Sequence, residues 1–262
     1  MINVYYHVYL TDNPAVWSGI VREQLECMKD AYLLNHINNI EFMVISQNDS
    51  RIQTFINFCE LFETSAKRTY NIIQNPYTND TEMIRNINND ATVTENITMR
   101  KIFDDSKDTD CCVLYLHTKG ITSTINYLEK GDVNTYMRYH YWRQYLNWGT
   151  LTKWTRCLND IVDKHDVSGI NYRDTPCPHY SGNFWWSKSS YIRTLPDPST
   201  LSWWYSLKQK SNDQWLKTVG NRFRDEMWVC SNTNKISNIH KMDENPASVL
   251  IPTQRYKYDE VI

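Results

Sequence analysis

The segment Cys111–Gly120, CCVLYLHTKG, constrains the fold more than any other. Its apolar run, Cys111 to Leu116, is too short for a helix and stops abruptly at His117, Thr118, Lys119 and Gly120. Such a run reads as a strand buried on both faces. Strands of that kind belong to parallel sheets, and in open α/β sheets ligands bind beyond their carboxyl ends. His117 and Lys119 are therefore expected at the mouth of a site, although a core strand entering a plain polar turn has the same pattern.

The chain before it repeats this logic. Ile2–Leu10 is a first strand, followed by Asn13-Pro14, an N-cap and a proline suited to the first helical position. Trp17, Val21, Leu25, Met28 and Tyr32 recur at helical spacing. Ile40–Ile45 is a second strand. Ile52, Phe55, Ile56, Cys59 and Phe62 mark a second helix, and Tyr70–Ile73 a third strand. This β-α-β-α-β alternation predicts an α/β fold with a mostly parallel sheet and helices on both faces.

Thr78–Ser106 is polar and rich in asparagine, with helical spacing through Met83, Ile84 and Ile87 and again through Ile97, Met99 and Ile102. After the central strand, Ile121–Gly131 reads as a loop. Helices are expected at Val133–Trp148 and Leu151–His165, broken at Gly149, and a strand at Val167–Tyr172. Proline and aromatics crowd Thr175–Pro198, so a less regular lobe is expected against the first half. No repeat or linker interrupts the 262 residues, which predicts one domain over 1–262.

A net charge of -2 argues against a general nucleic-acid binder. Seven cysteines, an odd number with no C-x-x-C pair, favour reduced thiols over a disulfide framework or zinc site. With no signal peptide and no run near the ~18 apolar residues of a membrane span, the expected location is cytoplasmic. Ten tryptophans and eighteen tyrosines suit sugar stacking as well as a large core. Oligomeric state is not legible.

Three stretches together carry a family resemblance: YLHTKG at Tyr115–Gly120, HYSGNFWW at His179–Trp186, and RDEMW at Arg224–Trp228, with Trp142-Arg143 between them. The combination resembles small GT-A-type glycosyltransferases of microbes and large algal DNA viruses, which build capsid glycans. Motifs cover Tyr115–Trp228; the N-terminal half matches in fold pattern alone. The resemblance implies a GT-A-like, Rossmann-type fold. Residues 1–130 would seat a nucleotide-sugar donor, a UDP-sugar with xylose the first choice, and 131–262 a glycan acceptor.

The same resemblance assigns residues. Tyr6, His7, His117, Thr118, Lys119, Gly120, His240 and Lys241 would face the donor. Asp174, His179, Ser181, Gly182, Asn183, Trp185 and Trp186 would face the acceptor, with one of the two tryptophans lining the site because strand neighbours point opposite ways. Asp225 and Glu226 form the catalytic acidic pair, Glu226 being preferred as base in an inverting transfer. The D-x-D that usually ends the central strand in this fold, holding a divalent ion, is missing. Asp108-Thr109-Asp110 spells it, but before the strand, at the wrong edge of a parallel sheet. No cofactor is therefore expected to be obligatory, with manganese or magnesium at most assisting. A carbohydrate-binding protein on a decayed scaffold is the alternative, which the acidic pair disfavours. A glycoside hydrolase, needing two separated carboxylates, fits least.

Overall fold

The computed structural model describes residues 1–46, 48–77, 79, 82, 94–220, 223–240 and 242. The first half is the expected alternation. Strand β1 (Ile2–Tyr9) leads to helix α1 (Pro14–Asp30), β2 (Asn39–Ser46), α2 (Asp49–Glu60) and β3 (Lys67–Gln74). Asn13 caps α1 by accepting from the Ala15 amide at 3.0 Å, with Pro14 in the first turn. Asn48 caps α2 in the same way through Ser50. Both caps satisfy amides that a helix start leaves unpaired.

Helix α3 (Asn96–Asp108) then precedes the central strand β4 (Cys112–His117). Ile121–Lys130 is helix α4, not the expected loop. Its β-branched threonines and isoleucines weaken the helical signal, but Ile121 and Ile125 lie one turn apart and are buried. Gly131, in the left-handed conformation, ends the helix by donating to the Tyr127 carbonyl. Helix α5 (Val133–Asn147) runs into a π-helical turn at Trp148–Thr152, and α6 (Trp154–Asp163) follows. Gly149 lies within that turn, where Ile170 packs in the space a side chain would fill.

The second half is short pieces: β5 (Val167–Gly169), β6 (Tyr172–Arg173), β7 (His179–Tyr180), β8 (Trp185–Lys188), α7 (Ser189–Ile192), α8 (Ser202–Lys210), α9 (Gln214–Thr218), α10 (Arg224–Trp228) and β9 (Ile236–Asn238). Among the described residues the main sheet has order β3-β2-β1-β4-β8-β5-β9, with β6 and β7 a separate ribbon. β1, β2, β3 and β4 are parallel, and β8 runs antiparallel to β4 and β5. The fold is α/β with a mostly parallel seven-stranded sheet.

Alternation along the strands separates two cores. Val4, Tyr6, Val8, Leu114, Leu116 and Trp186 face α1, α2 and α5. Tyr5, Val113, Tyr115 and Trp185 face α3, α7 and α10. A third, smaller cluster of Cys177, Trp204, Leu216 and Met227 holds the irregular lobe together. The neighbours of β1 lie on opposite sides, β2 on one and β4 on the other. The carboxyl ends of β1 and β4 thus form a topological switch point, where open α/β sheets place a ligand crevice. All seven cysteines are free thiols. No helix among the described residues is long and apolar enough to cross a membrane.

Candidate functional site

A cavity of about 260 Å³ opens at that switch point. His117 ends β4 in register with His7, the last pair between β4 and β1. Thr94 and Glu95 enter from the start of α3, Thr118–Gly120 from the β4–α4 turn, Ile121–Ser123 from the first turn of α4, Thr135 and Tyr139 from α5, and Asp225 from α10.

The turn after β4 is shaped by contacts outside the cavity. Gly120 has φ +85°, and a Cβ there would stand 3.2 Å from Arg143 Nη1, so only glycine fits comfortably. Arg143 Nη1 donates to the Lys119 carbonyl at 3.0 Å, while Nε and Nη2 form a two-pronged pair with Glu23 at 3.0 and 2.9 Å. Asn147 braces Glu23 at 2.8 Å, and Gln24 donates to the His117 carbonyl at 3.1 Å. Lys119 is buried, with its ammonium 4.1 Å from the centre of the Trp142 ring. A cation on an indole face keeps its charge with little water. The Trp142-Arg143 pair thus supports Lys119 from two sides.

The opposite wall is carboxylate. Glu95 Oε2 accepts from Asn183 Nδ2 at 2.6 Å and from the Tyr115 hydroxyl at 2.9 Å. Its Oε1 faces His117 Nδ1 at 3.6 Å. Burial by itself raises a carboxyl pKa, but His117, Lys119, His7 and the Asn183 amide outweigh it and hold Glu95 at about 2. The imidazoles move the other way. Burial lowers His7 to about 4, against the pull of Glu95, and it lowers His117 as well. His7 Nδ1 meets Thr98 Oγ1 at 2.8 Å, and His117 Nε2 meets the Gly182 carbonyl at 3.0 Å. That carbonyl can only accept, so Nε2 carries a proton.

Asp225 is 3 % exposed. Burial raises its pKa to about 7, opposed by Arg224 and assisted by Glu95. Asn96 Nδ2 donates to its Oδ1 at 3.1 Å and Arg224 Nε at 3.3 Å. A buried carboxyl that titrates near neutrality in a cavity can exchange a proton with a bound hydroxyl.

Of the residues singled out in the sequence, His7, His117, Thr118, Lys119, Gly120 and Asp225 meet in the cavity wall. Several others do not. Tyr6 is wholly buried on the opposite core face, its hydroxyl bonded to Gln24. Glu226 is half-buried beside Asp225 and does not line the cavity, although its charge acts on His117 and Tyr115. His240 sits against α5, its Nδ1 2.8 Å from the Tyr145 hydroxyl. Lys241 lies outside the described residues.

On the acceptor side, Trp185 and Trp186 do point oppositely, but both are fully buried and neither lines the cavity. Trp186 donates to the Thr150 carbonyl and Trp185 to Asn183 Oδ1. Gly182 and Asn183 hold His117 and Glu95 by hydrogen bonds, and the Ser181 amide donates to Asn171. His179 Nδ1 engages the Cys177 carbonyl at 2.8 Å, and Asp174 is exposed beside Tyr172. The SGN turn is a brace for the cavity, built into its second layer of contacts. Asp110 pairs with Arg193 at 2.5 Å, at the amino end of β4.

Glu95 and Asn96 are the residues sequence reasoning missed. They lie in an asparagine-rich stretch whose helical spacing marks no functional residue, and Glu95 occupies the N-cap position of α3 without capping it.

The donor set does not fit a divalent ion. Lys119 is a cation, His117 Nε2 is committed to Gly182, and no three His, Cys, Asp or Glu side chains among the described residues are grouped to hold a metal.

The family model of a domain of unknown function, DUF8361, matches residues 5–237. The chain belongs to that family. The DUF8361 match covers part or all of every strand of the sheet and every residue of the cavity wall. No curated protein matches the chain. Among solved structures it is similar to 4-diphosphocytidyl-2C-methyl-D-erythritol synthase from Anaerococcus prevotii DSM 20548, at 9 % identity and a TM-score of 0.39, covering 96 % of this chain and 93 % of that one. A likeness that loose carries no argument about this DUF8361 protein.

Proposed function

We propose that this protein is a nucleotide-sugar glycosyltransferase that inverts configuration with Asp225 as its base. The observation that carries the reading is one cavity at the switch point of the sheet with Lys119 and the start of α4 on one wall and Asp225 on another. Lys119 and the first turn of α4 suit a diphosphate, since a helix start offers unpaired amides and a favourable dipole. The donor is a UDP-sugar, xylose being the first choice by resemblance, and the acceptor a glycan hydroxyl.

In the step itself, the acceptor oxygen attacks the anomeric carbon and gives its proton to Asp225. The bond from that carbon to the diphosphate oxygen breaks, and its electron pair stays with the diphosphate against Lys119. Such preorganised charge costs no rearrangement during reaction.

Calorimetric titration with nucleoside diphosphates, with and without manganese, tests the reading, followed by transfer assays with UDP-sugars. One nucleotide binding tightly, with release of UDP from its sugar only when an acceptor is supplied, is the expected result. Failure of every nucleoside diphosphate to bind overturns it. Nucleotide-independent glycan binding points instead to the carbohydrate-binding alternative.

A further inference from the structure

Glu95 is placed unlike an ordinary buried carboxylate. Both donors that satisfy it, Tyr115 and Asn183, bond a single oxygen, Oε2. The other oxygen faces His117 Nδ1 at 3.6 Å, just beyond hydrogen-bond reach. On the imidazole, Nε2 must donate to Gly182, so a neutral ring presents a bare lone pair to the carboxylate. The gap between two acceptors closes only when Nδ1 gains a proton, which makes a charge-assisted hydrogen bond.

We propose that Glu95 is a positioning residue that makes His117 a proton-linked anion clamp: when a diphosphate enters the cavity, His117 takes up a proton at Nδ1, bonds Glu95, and adds a positive charge beside Lys119. This deepens the proposed function and rests on its donor site. The charge balance requires some such response. An ionised Glu95 already stands in the wall, so a dianion arriving near it needs compensation beyond one lysine. The groups facing His117 are Glu95 from α3, His7 from β1, Lys119 from its own turn and Glu226 from α10. His7 is less suited, because its Nδ1 partner Thr98 can donate or accept and sets no fixed tautomer. The Phe184 ring packs edge-on against His117, 5.2 Å between centroids, and the ring lies parallel to Tyr115, leaving little freedom to rotate away.

The test is the titration of the His117 ring by NMR, its signals assigned with His117→Gln and His7→Gln. In wild-type protein, saturating inorganic pyrophosphate or UDP is expected to raise the His117 midpoint by about one unit or more. In ligand-free Glu95→Gln, the midpoint should fall below that of wild type by a similar amount, near-ultraviolet circular dichroism checking that the fold is kept. A purely structural Glu95 would not move that midpoint. If pyrophosphate raises it but no nucleotide binds, the clamp stands and the nucleotide-sugar reading falls. If UDP binds and the midpoint stays, the clamp falls and the reading survives. A midpoint unmoved by both anions, or unchanged in folded Glu95→Gln, overturns the proposal.

Discussion

Glu95 and Asn96 are neighbours in the chain but hold different parts of the cavity. Glu95 faces His117 at 3.6 Å, while Asn96 Nδ2 donates to Asp225 Oδ1 at 3.1 Å and to the Pro198 carbonyl at 2.9 Å. The start of α3 therefore ties the ends of the parallel strands to the acidic helix of the irregular lobe. The two sides of the cavity meet at one turn of backbone.

Asp225→Asn should lower turnover by about 10²–10⁴-fold, the usual worth of a general base. Glu226→Gln should lower it much less, because Glu226 is not in the cavity wall. Burial raises Asp225 to about 7, so the active, ionised form dominates above that pH. Turnover is expected to rise with pH through about 7 and level off, as read from initial rates across pH 5.5–8.5. A rate independent of pH, with the Asn variant fully active, removes Asp225 as base.

Lys119→Met keeps much of the packing on Trp142 but removes the charge. Diphosphate affinity should fall by about 1.5–3 kcal/mol, the worth of a charge-assisted hydrogen bond. Calorimetry with UDP reads the change. Unchanged affinity means the ammonium does not reach the ligand.

Arg143→Met removes the donor that holds the Lys119 carbonyl and leaves Glu23 without its two-pronged partner. Denaturant unfolding should show a loss of about 2–3 kcal/mol. Adding Glu23→Gln should recover part of it, since the double change leaves no unpaired charge. Strict additivity of the two changes would show that the pair is not coupled.

Gly182→Ala tests the brace behind His117. Its φ is +101°, and a Cβ would stand 2.6 Å from Leu146 Cδ1. Stability should fall by about 1–3 kcal/mol from overpacking and backbone strain. The His117 NMR signal should shift as well, because the Gly182 carbonyl is its partner. A neutral effect on both means Leu146 yields without moving the turn.

Sequence alone determined the first half of the fold. The apolar runs at Ile2–Leu10, Ile40–Ile45 and Cys111–Leu116, and the capped helices between them, act through local chemistry and period, which a linear reading captures. It also set His117, Thr118, Lys119 and Gly120 at the carboxyl end of a strand, because an apolar run stopping at polar residues marks such an end, and left open whether a site or a plain turn follows. Tertiary structure decided what surrounds them. Glu95 precedes the helical spacing of Ile97, Met99 and Ile102, which gives it no role by itself, and it becomes part of the site only because α3 packs across the face that Tyr115 and His117 share. Trp185 and Trp186 look like sugar platforms in sequence, yet both faces of β8 are covered by helices, so both became core. Which carboxylate of the acidic pair lines the cavity turns on the angle at which a short helix presents it, about 100° per residue on a helix. Only packing sets that angle, and with it the desolvation that brings Asp225 near neutrality.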